Sequence, residues 1–229
     1  MEDTILVCMP TFHSPIEWIS RAVNSLKIQT YNNFECWVVK DGCDKSMGIF
    51  KCQDCKTCIN CFDCKKTKKF FKQVCSEDKR FKYCELPINF NKCGWGPRNF
   101  ALLNTEHNYV AYLDDDNWYE SDHLEVCYDT IIKNNYDFCL TGRNYYNFNN
   151  EKVGQAVSDS LDTSAIMHKK HLIVKYGGWV ATEYNDVEIV TKWKNNNVSW
   201  GNTHKITLNY FYRETGVTSE RKVKNEILM

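Results

Sequence analysis

Short apolar runs that stop abruptly at polar clusters alternate along this chain with stretches in which hydrophobes recur every three or four positions. Ile5 to Met9 is a continuous apolar run closing in Pro10-Thr11-Phe12, the pattern of a buried strand. Pro15 then stands where a helix can begin, and Ile16, Ile19, Val23 and Leu26 recur at helical spacing to about Gln29. Phe34 to Val39 reads as a second strand ending at Lys40-Asp41-Gly42. From Ser46 to about Phe71 the pattern breaks into a Cys/Lys-rich insert. Regular structure resumes with a strand over Phe81 to Leu86, a helix from about Trp95 to Asn104, and a strand over Val110 to Leu113 that ends in Asp114-Asp115-Asp116. A helix over Leu124 to Ile132 and a strand over Tyr136 to Thr141 follow. From Gly142 onward the pattern is less regular, with strands over Ser164 to Met167 and Ile206 to Tyr212 and a helix over Asn185 to Trp193. The order β-α-β-β-α-β-α-β predicts an α/β fold with a mostly parallel central sheet flanked by helices.

The chain has 229 residues, enough for one large domain over residues 1–229 with residues 46–71 as an insertion. Its 29 basic and 29 acidic residues cancel, which argues against a general nucleic-acid binder, since such affinity rests on a basic surface. The start, Met1-Glu-Asp-Thr-Ile-Leu-Val7, lacks a basic leader followed by a long apolar segment. No later run reaches the roughly 18 apolar residues of a membrane span. A soluble, cytoplasmic protein without an integral membrane segment is expected. Thirteen cysteines in a chain of this size, with no signal peptide, point to reduced thiols or metal ligation more than to a disulfide scaffold.

Five of those cysteines, Cys52, Cys55, Cys58, Cys61 and Cys64, stand at a strict three-residue period. Paired CxxC units are one way to build a four-thiolate Zn²⁺ site, although such pairs usually lie farther apart. Successive CxxC spacings also occur in iron–sulfur proteins, but the proline that closes those runs is replaced here by Lys65. A short repeat on a loop is the third reading of the same spacing. Lys65, Lys66, Lys68 and Lys69 make the segment locally basic.

Three strand ends collect polar residues on one rim: Pro10-Thr11, Asp41-Gly42 and Asp114-Asp115-Asp116. Adjacent carboxylates repel one another, and a divalent cation is their natural neutraliser. The alternative is a solvated turn or a helix cap, which Asp also favours.

Longer motifs carry a resemblance. Met9-Pro10-Thr11-Phe12-His13, then Ser25 with Gln29-Thr30-Tyr31, then Val38-Val39-Lys40-Asp41-Gly42 follow the order of a strand into Pro-Thr-Tyr-Asn, a helix with Ser-(x)3-Gln-Thr-Tyr, and a strand into Asp-Asp-Gly-Ser. Gly94-Trp-Gly-Pro97-Arg98-Asn99-Phe-Ala101 is similar to Gly-x-x-x-Ala-Arg-Asn-x-Ala. Tyr112-Leu113-Asp114-Asp115-Asp116-Asn117 is similar to Leu-Asp-x-Asp-Asp, with Asn117 at the last position. Gly177-Gly178-Trp179, followed by Asn185-Asp186-Val187-Glu188, resembles Gly-Gly-(x)n-Glu-Asp-x-Glu, with Asn185 where Glu or Gly commonly precedes the Asp. The chain thereby resembles a family 2 glycosyltransferase of the GT-A fold over roughly residues 3 to 215, apart from the insert.

The resemblance implies an inverting transfer of a sugar from a nucleotide-diphosphate donor, a UDP-sugar by family habit, to the hydroxyl of a glycan, protein or small-molecule acceptor. It implies Mn²⁺ or Mg²⁺ on the DxD element, with Asp116 as direct ligand, Asp114 nearer the ribose and the metal's water shell, and Asp115 between them. Pro10 and Thr11 would border the donor. Asp41 would accept from the base or ribose, while Lys40 departs from the first Asp of the family pair. Arg98, a planar fork suited to carboxylate or phosphate, would hold Asp41 or the nucleotide. Asp186 matches the general base, with Glu183 and Glu188 as fallback candidates, Trp179 as an acceptor-stacking ring, and His204 as a further approach to the metal. Two other classes remain open. A non-catalytic binding module would use the Cys-rich insert as its interaction surface. A sugar-nucleotide pyrophosphorylase would carry a Gly-rich phosphate loop near the first strand, where this chain has Pro10-Thr11-Phe12-His13-Ser14.

Overall fold

In the computed structural model, Ile5–Thr11 forms strand β1, buried at every position but Pro10. A strand apolar on both faces needs cover on both sides. It has that cover at the middle of a nine-stranded sheet, parallel to β2 (Phe34–Lys40) on one edge and to β4 (Tyr109–Tyr112) on the other. Strand β3 (Phe81–Glu85) pairs parallel with the outer side of β2. The structure describes residues 3–42, 62–91, 93–157 and 161–212.

Because side chains alternate across a strand, β1 feeds two cores. Ile5, Val7 and Met9 pack with α1 (Ile16–Lys27), α2 (Phe62–Glu77) and α4 (His123–Asn134). Leu6 and Cys8 pack with α3 (Trp95–Leu103), α5 (His171–Tyr176) and α6 (Asn185–Asn195) on the opposite face. Helix α1 turns Ile19, Ala22, Val23 and Leu26 inward at helical spacing, as its pattern predicts. All the helices are short, and no described helix is long and apolar enough to cross a membrane.

The second half of the sheet is mixed. Strand β8 (Ile166–Lys169) lies antiparallel to β4, and β6 (Phe138–Tyr146) antiparallel to β8. The long β9 (Trp200–Phe211) then runs parallel to β6, and the two-residue β5 (Trp118–Tyr119) pairs antiparallel with β9. Strand β7 (Lys152–Ala156) forms a hairpin on the distal half of β6. The expected parallel arrangement therefore holds from β3 to β4, and the pairings beyond are mixed, antiparallel at β4–β8, β8–β6 and β9–β5 and parallel at β6–β9. Gly142, where the pattern seemed to break, lies inside β6 at a register shift. A Cβ there would meet the carbonyl oxygens of Ala156 at 2.7 Å and Lys205 at 2.9 Å, so two neighbouring strands close on it.

The expected insert is shorter than its composition implies, because helix α2 occupies its second half. Thr67, Phe71 and Val74 supply a narrow inward stripe, and the Phe71 ring stacks on Tyr83 with centroids 4.9 Å apart. The lysines between them face solvent. Cys52, Cys55, Cys58 and Cys61 lie outside the described residues, as does the side chain of Cys64, and so does the candidate Zn²⁺ site. Cys8, Cys36, Cys75, Cys84, Cys93, Cys127 and Cys139 are free thiols.

The sheet order is β3-β2-β1-β4-β8-β6-β9-β5. The chain lays β2 and β3 on one side of β1 and β4 on the other, and this reversal opens a crevice beyond the carboxyl ends of β1 and β4.

Candidate active site

A cleft of about 440 Å³ occupies that crevice. It is lined by Pro10, Thr11 and Phe12 after β1, by Asp41 after β2, and by Asn91, Cys93 and the first turn of α3. Asp114 to Asn117 after β4, Asp162 and Thr163 before β8, Glu183, Asn185 and Asp186 at the start of α6, and Tyr210 on β9 complete it. Residues scattered from position 10 to position 210 thus meet at one rim.

Each acid is held differently. The backbone N–H of Asp41 donates to the carbonyl of Thr11 at 3.0 Å, and its Oδ1 accepts from the backbone N–H groups of Gly42 and Phe90, each at 3.0 Å. Burial raises the Asp41 carboxyl above its ordinary pKa, and those two N–H bonds work in the other direction. Lys40, in place of the family's first Asp, is buried and turns its ammonium back to the Asp41 carbonyl at 3.3 Å. Asp114 to Asn117 form a tight turn closed by the Asn117 N–H on the Asp114 carbonyl at 3.0 Å. The hydroxyl of Ser164 ties this turn to the strand beside it, accepting from the Asp114 N–H and from Asn117 Nδ2, both at 3.1 Å. On its other side Arg21 donates to the Asp116 carbonyl at 2.9 Å.

Arg98 is 3 % exposed and pairs with Asp114 Oδ1 at 2.5 Å, while a second nitrogen donates to the Cys93 carbonyl. Burial alone would lower its pKa, but the charge and hydrogen bond of Asp114 together with the charge of Asp186 outweigh that and hold it above the ordinary arginine value. Of the two expected partners of Arg98, Asp41 or the nucleotide, Asp41 is not the one it pairs with: helix α3 aims it at Asp114, on the strand on the far side of β1. Gly94 makes this approach feasible. It starts α3 at φ +69°, and a Cβ there would lie 2.9 Å from the Pro10 Cβ.

Asp186 sits in the first turn of α6. Its Oδ1 accepts from the Val187 N–H at 2.8 Å. Glu183 also lines the cleft, whereas Glu188 is exposed outside it. Trp179 does not form the cleft wall. It is 3 % exposed, packs edge-on against Tyr112 at 4.8 Å and lies 5.0 Å beneath the Arg98 guanidinium, so its ring supports the site from below. Asn99 fixes the backbone of Trp179 through both its N–H and its carbonyl, each at 2.9 Å. His204 is likewise corrected. It is exposed at φ +56° where β9 shifts register against β6, six residues before Tyr210, the β9 residue that reaches the cleft.

Several cleft residues escaped the sequence reading, among them Asn91, Cys93, Thr163, Asp162 and Tyr210. Asp162 and Tyr210 belong to stretches without clean periodicity, and only the Asp-x-Ser capping pattern at Asp162-Thr163-Ser164 marked the first of them. Burial pushes the Asp162 carboxyl up to about 6, although Arg143 opposes the shift.

Seven carboxylates, from Asp41, Asp114, Asp115, Asp116, Asp162, Glu183 and Asp186, face the single arginine Arg98 among the described lining residues. Oxygen donors of this kind suit Mg²⁺ or Mn²⁺. No three acids, histidines or cysteines among the described residues converge closely enough to chelate an ion by themselves. That arrangement fits a hard cation held by one or two carboxylates together with substrate phosphates.

A family model, Glycosyl transferase family 2, matches residues 57–207, well over half of the chain, and the protein belongs to that family. The matched span contains Arg98, the acidic triplet and Asp186, and begins after β1 and β2. Among curated relatives, the chain is 27 % identical over 150 residues to the glycosyltransferase GlyA of Streptococcus pneumoniae, covering 65 % of this chain and 18 % of GlyA. Among solved structures it is similar to S. aureus TarS 1–349 in complex with UDP-GlcNAc, with a TM-score of 0.65 at 18 % identity, covering 94 % of this chain and 60 % of that one. The mannosyltransferase PcManGT from Pyrobaculum calidifontis, in complex with GDP-Man and Mn²⁺, gives a TM-score of 0.68 at 12 % identity, covering 93 % and 58 %. These two likenesses show a shared GT-A fold. The chain spans less than a fifth of GlyA and about three fifths of the two structural neighbours.

Proposed function

We propose that this protein is a glycosyltransferase that moves a sugar from a nucleotide-diphosphate donor, with a UDP-sugar favoured, to an acceptor hydroxyl, with inversion and with Mn²⁺ or Mg²⁺. The observation that carries this reading is the single cleft shared by Asp41, Arg98, the acidic triplet and Asp186. The UDP-GlcNAc bound to TarS and the GDP-Man and Mn²⁺ bound to PcManGT support it by analogy of fold.

On this reading the Asp41 carboxylate, already fixed by backbone N–H groups, accepts from the base or ribose. Pro10 and Thr11 border the same moiety. Asp116 and Asp114 would hold the divalent ion, which supplies neutralising charge to the diphosphate as it leaves. Arg98 fixes the orientation of Asp114 and adds a cation to an otherwise acidic cleft. Asp186 is the base. Its Oδ2 carries no protein hydrogen bond among the described residues and takes the acceptor's proton as the acceptor oxygen attacks the anomeric carbon. The bond from that carbon to the phosphate oxygen breaks at the same time, and the nucleotide diphosphate leaves with the electron pair.

The test is a panel of UDP-, GDP- and dTDP-sugars, with binding measured by calorimetry and transfer or hydrolysis by chromatography, with and without Mn²⁺. Asp116→Asn should abolish metal-dependent donor binding, and Asp186→Asn should keep binding and lose transfer. Full activity in either variant would remove the role assigned to that residue. A protein that binds no donor in the panel would refute the whole reading.

A further inference from the structure

Two walls of the cleft differ in chemistry. The wall built from the ends of β1 and β2 and the start of α3 carries Thr11, Asp41, Gly94 and Arg98. Across the acidic turn, on the side of β8, α6 and β9, stand Asp162, Glu183, Asp186 and Tyr210. No cation lines this second wall among the described residues. A phosphate there would meet like charge, whereas hydroxyl groups would find acceptors.

Asp162 is the most firmly built of these groups. Its Oδ1 accepts from the Ser164 N–H at 2.9 Å and so caps the 3-10 turn Thr163–Ala165. Its Oδ2 lies 3.7 Å from Arg143, close enough for charge attraction and too far for a hydrogen bond. The Arg143 guanidinium is itself buried. It donates to the Tyr145 hydroxyl at 2.9 Å and to the Leu161 carbonyl at 3.2 Å, and lies 5.2 Å from the Tyr210 ring. The carboxylate is thus held by the 3-10 turn and by Arg143 of β6, while Oδ2 has no protein hydrogen bond among the described residues. A desolvated carboxylate oxygen with free lone pairs, fixed on a cleft wall, is an acceptor for a ligand hydroxyl.

We propose that Asp162, held by Arg143, is a specificity-determining residue that reads the hydroxyls of the transferred sugar. This inference rests on the donor reading above and deepens it: the nucleotide lies against the first wall and the glycosyl group against Asp162. The Ser164 hydroxyl, which the Asp162 cap presents to the Asp114 N–H, links this sugar wall to the metal-binding turn.

The two parts of the donor separate the inference from the reading on which it rests. Binding of UDP, UDP-glucose, UDP-galactose and UDP-N-acetylglucosamine, all with Mn²⁺, is measured by calorimetry for the wild type and for Asp162→Asn. The expected result is a loss of roughly tenfold or more for the preferred UDP-sugar, with UDP itself unchanged within about twofold and the preference among the three sugars compressed. If Asp162→Asn fails to show a melting transition, the neutral pair Asp162→Asn with Arg143→Gln carries the same measurement. Equal losses for UDP and the UDP-sugars, or no loss for either, would overturn the role of Asp162 while leaving the donor reading intact. A wild type that binds neither UDP nor any UDP-sugar would remove the preference for a UDP donor and this inference with it.

Discussion

His168 ties the acid stability of the fold to one imidazole beneath the cleft. It is fully buried on β8, with its Nε2 2.7 Å from the Tyr112 hydroxyl and its Nδ1 2.8 Å from the Lys169 carbonyl. A carbonyl only accepts, so Nδ1 carries the proton and Nε2 accepts from Tyr112. Burial lowers its pKa to about 4 from an ordinary 6.5; the Lys169 carbonyl opposes this and the nearby His171 adds to it. The native state therefore binds fewer protons than the unfolded chain between these two values. Stability from this group is complete above about pH 6.5 and is lost as the pH falls towards 4. At 1.36 kcal/mol per pH unit the loss is about 3 kcal/mol by pH 4. Asp162 has the opposite sign, since its raised pKa of about 6 removes stability as pH rises from about 4 to 6. The wild-type curve alone therefore mixes the two. A comparison with His168→Gln isolates the histidine, because glutamine keeps an acceptor for Tyr112 and has no proton to gain. Urea unfolding at several pH values between 7 and 4 should show the wild type losing about 3 kcal/mol more than His168→Gln. Parallel curves would refute the buried neutral imidazole.

Two further substitutions test how the site is supported. Arg98→Ala leaves Asp114 without its partner and removes packing over Trp179. Breaking a buried pair costs 3–5 kcal/mol, and the low end, about 3 kcal/mol, applies because Asp114 is 28 % exposed. For a chain of this size that is a fall of about 10 °C in Tm by calorimetry, and an unchanged Tm would show that the pair contributes nothing. Gly178→Ala would place a Cβ 2.3 Å from Asn99 Oδ1 and displace the side chain that holds both backbone groups of Trp179. Loss of those two bonds should cost about 2 kcal/mol in urea unfolding, and wild-type stability would mean that Asn99 relocates freely.

Much of the N-terminal half was legible because its strands are buried on both faces and its helices on one. Continuous runs such as Ile5 to Met9 and the 3-4 spacing of Ile19, Val23 and Leu26 have few competing interpretations. The C-terminal half hides its strands behind buried polar residues. Within β6, Arg143 is buried beside the charge of Asp162 and Asn144 donates to Asn209, and such partners are invisible to a hydrophobicity pattern. Helix α2 was lost for the opposite reason: three inward residues among many lysines make too narrow a stripe.

The sequence by itself determined the α/β alternation, the strand that ends in Asp114-Asp115-Asp116, and the motifs that brought Asp41, Arg98 and Asp186 forward as candidates. These are local properties, written in periodicity and in residue types at fixed spacing. Only the tertiary structure decided that Arg98 holds Asp114 instead of Asp41, that Trp179 lies beneath the cleft and His204 away from it, and that Asp162 and Tyr210 complete the far wall. Those outcomes depend on strand order and on helix direction relative to the switch between β1 and β4. Such long-range pairings leave no period in the chain.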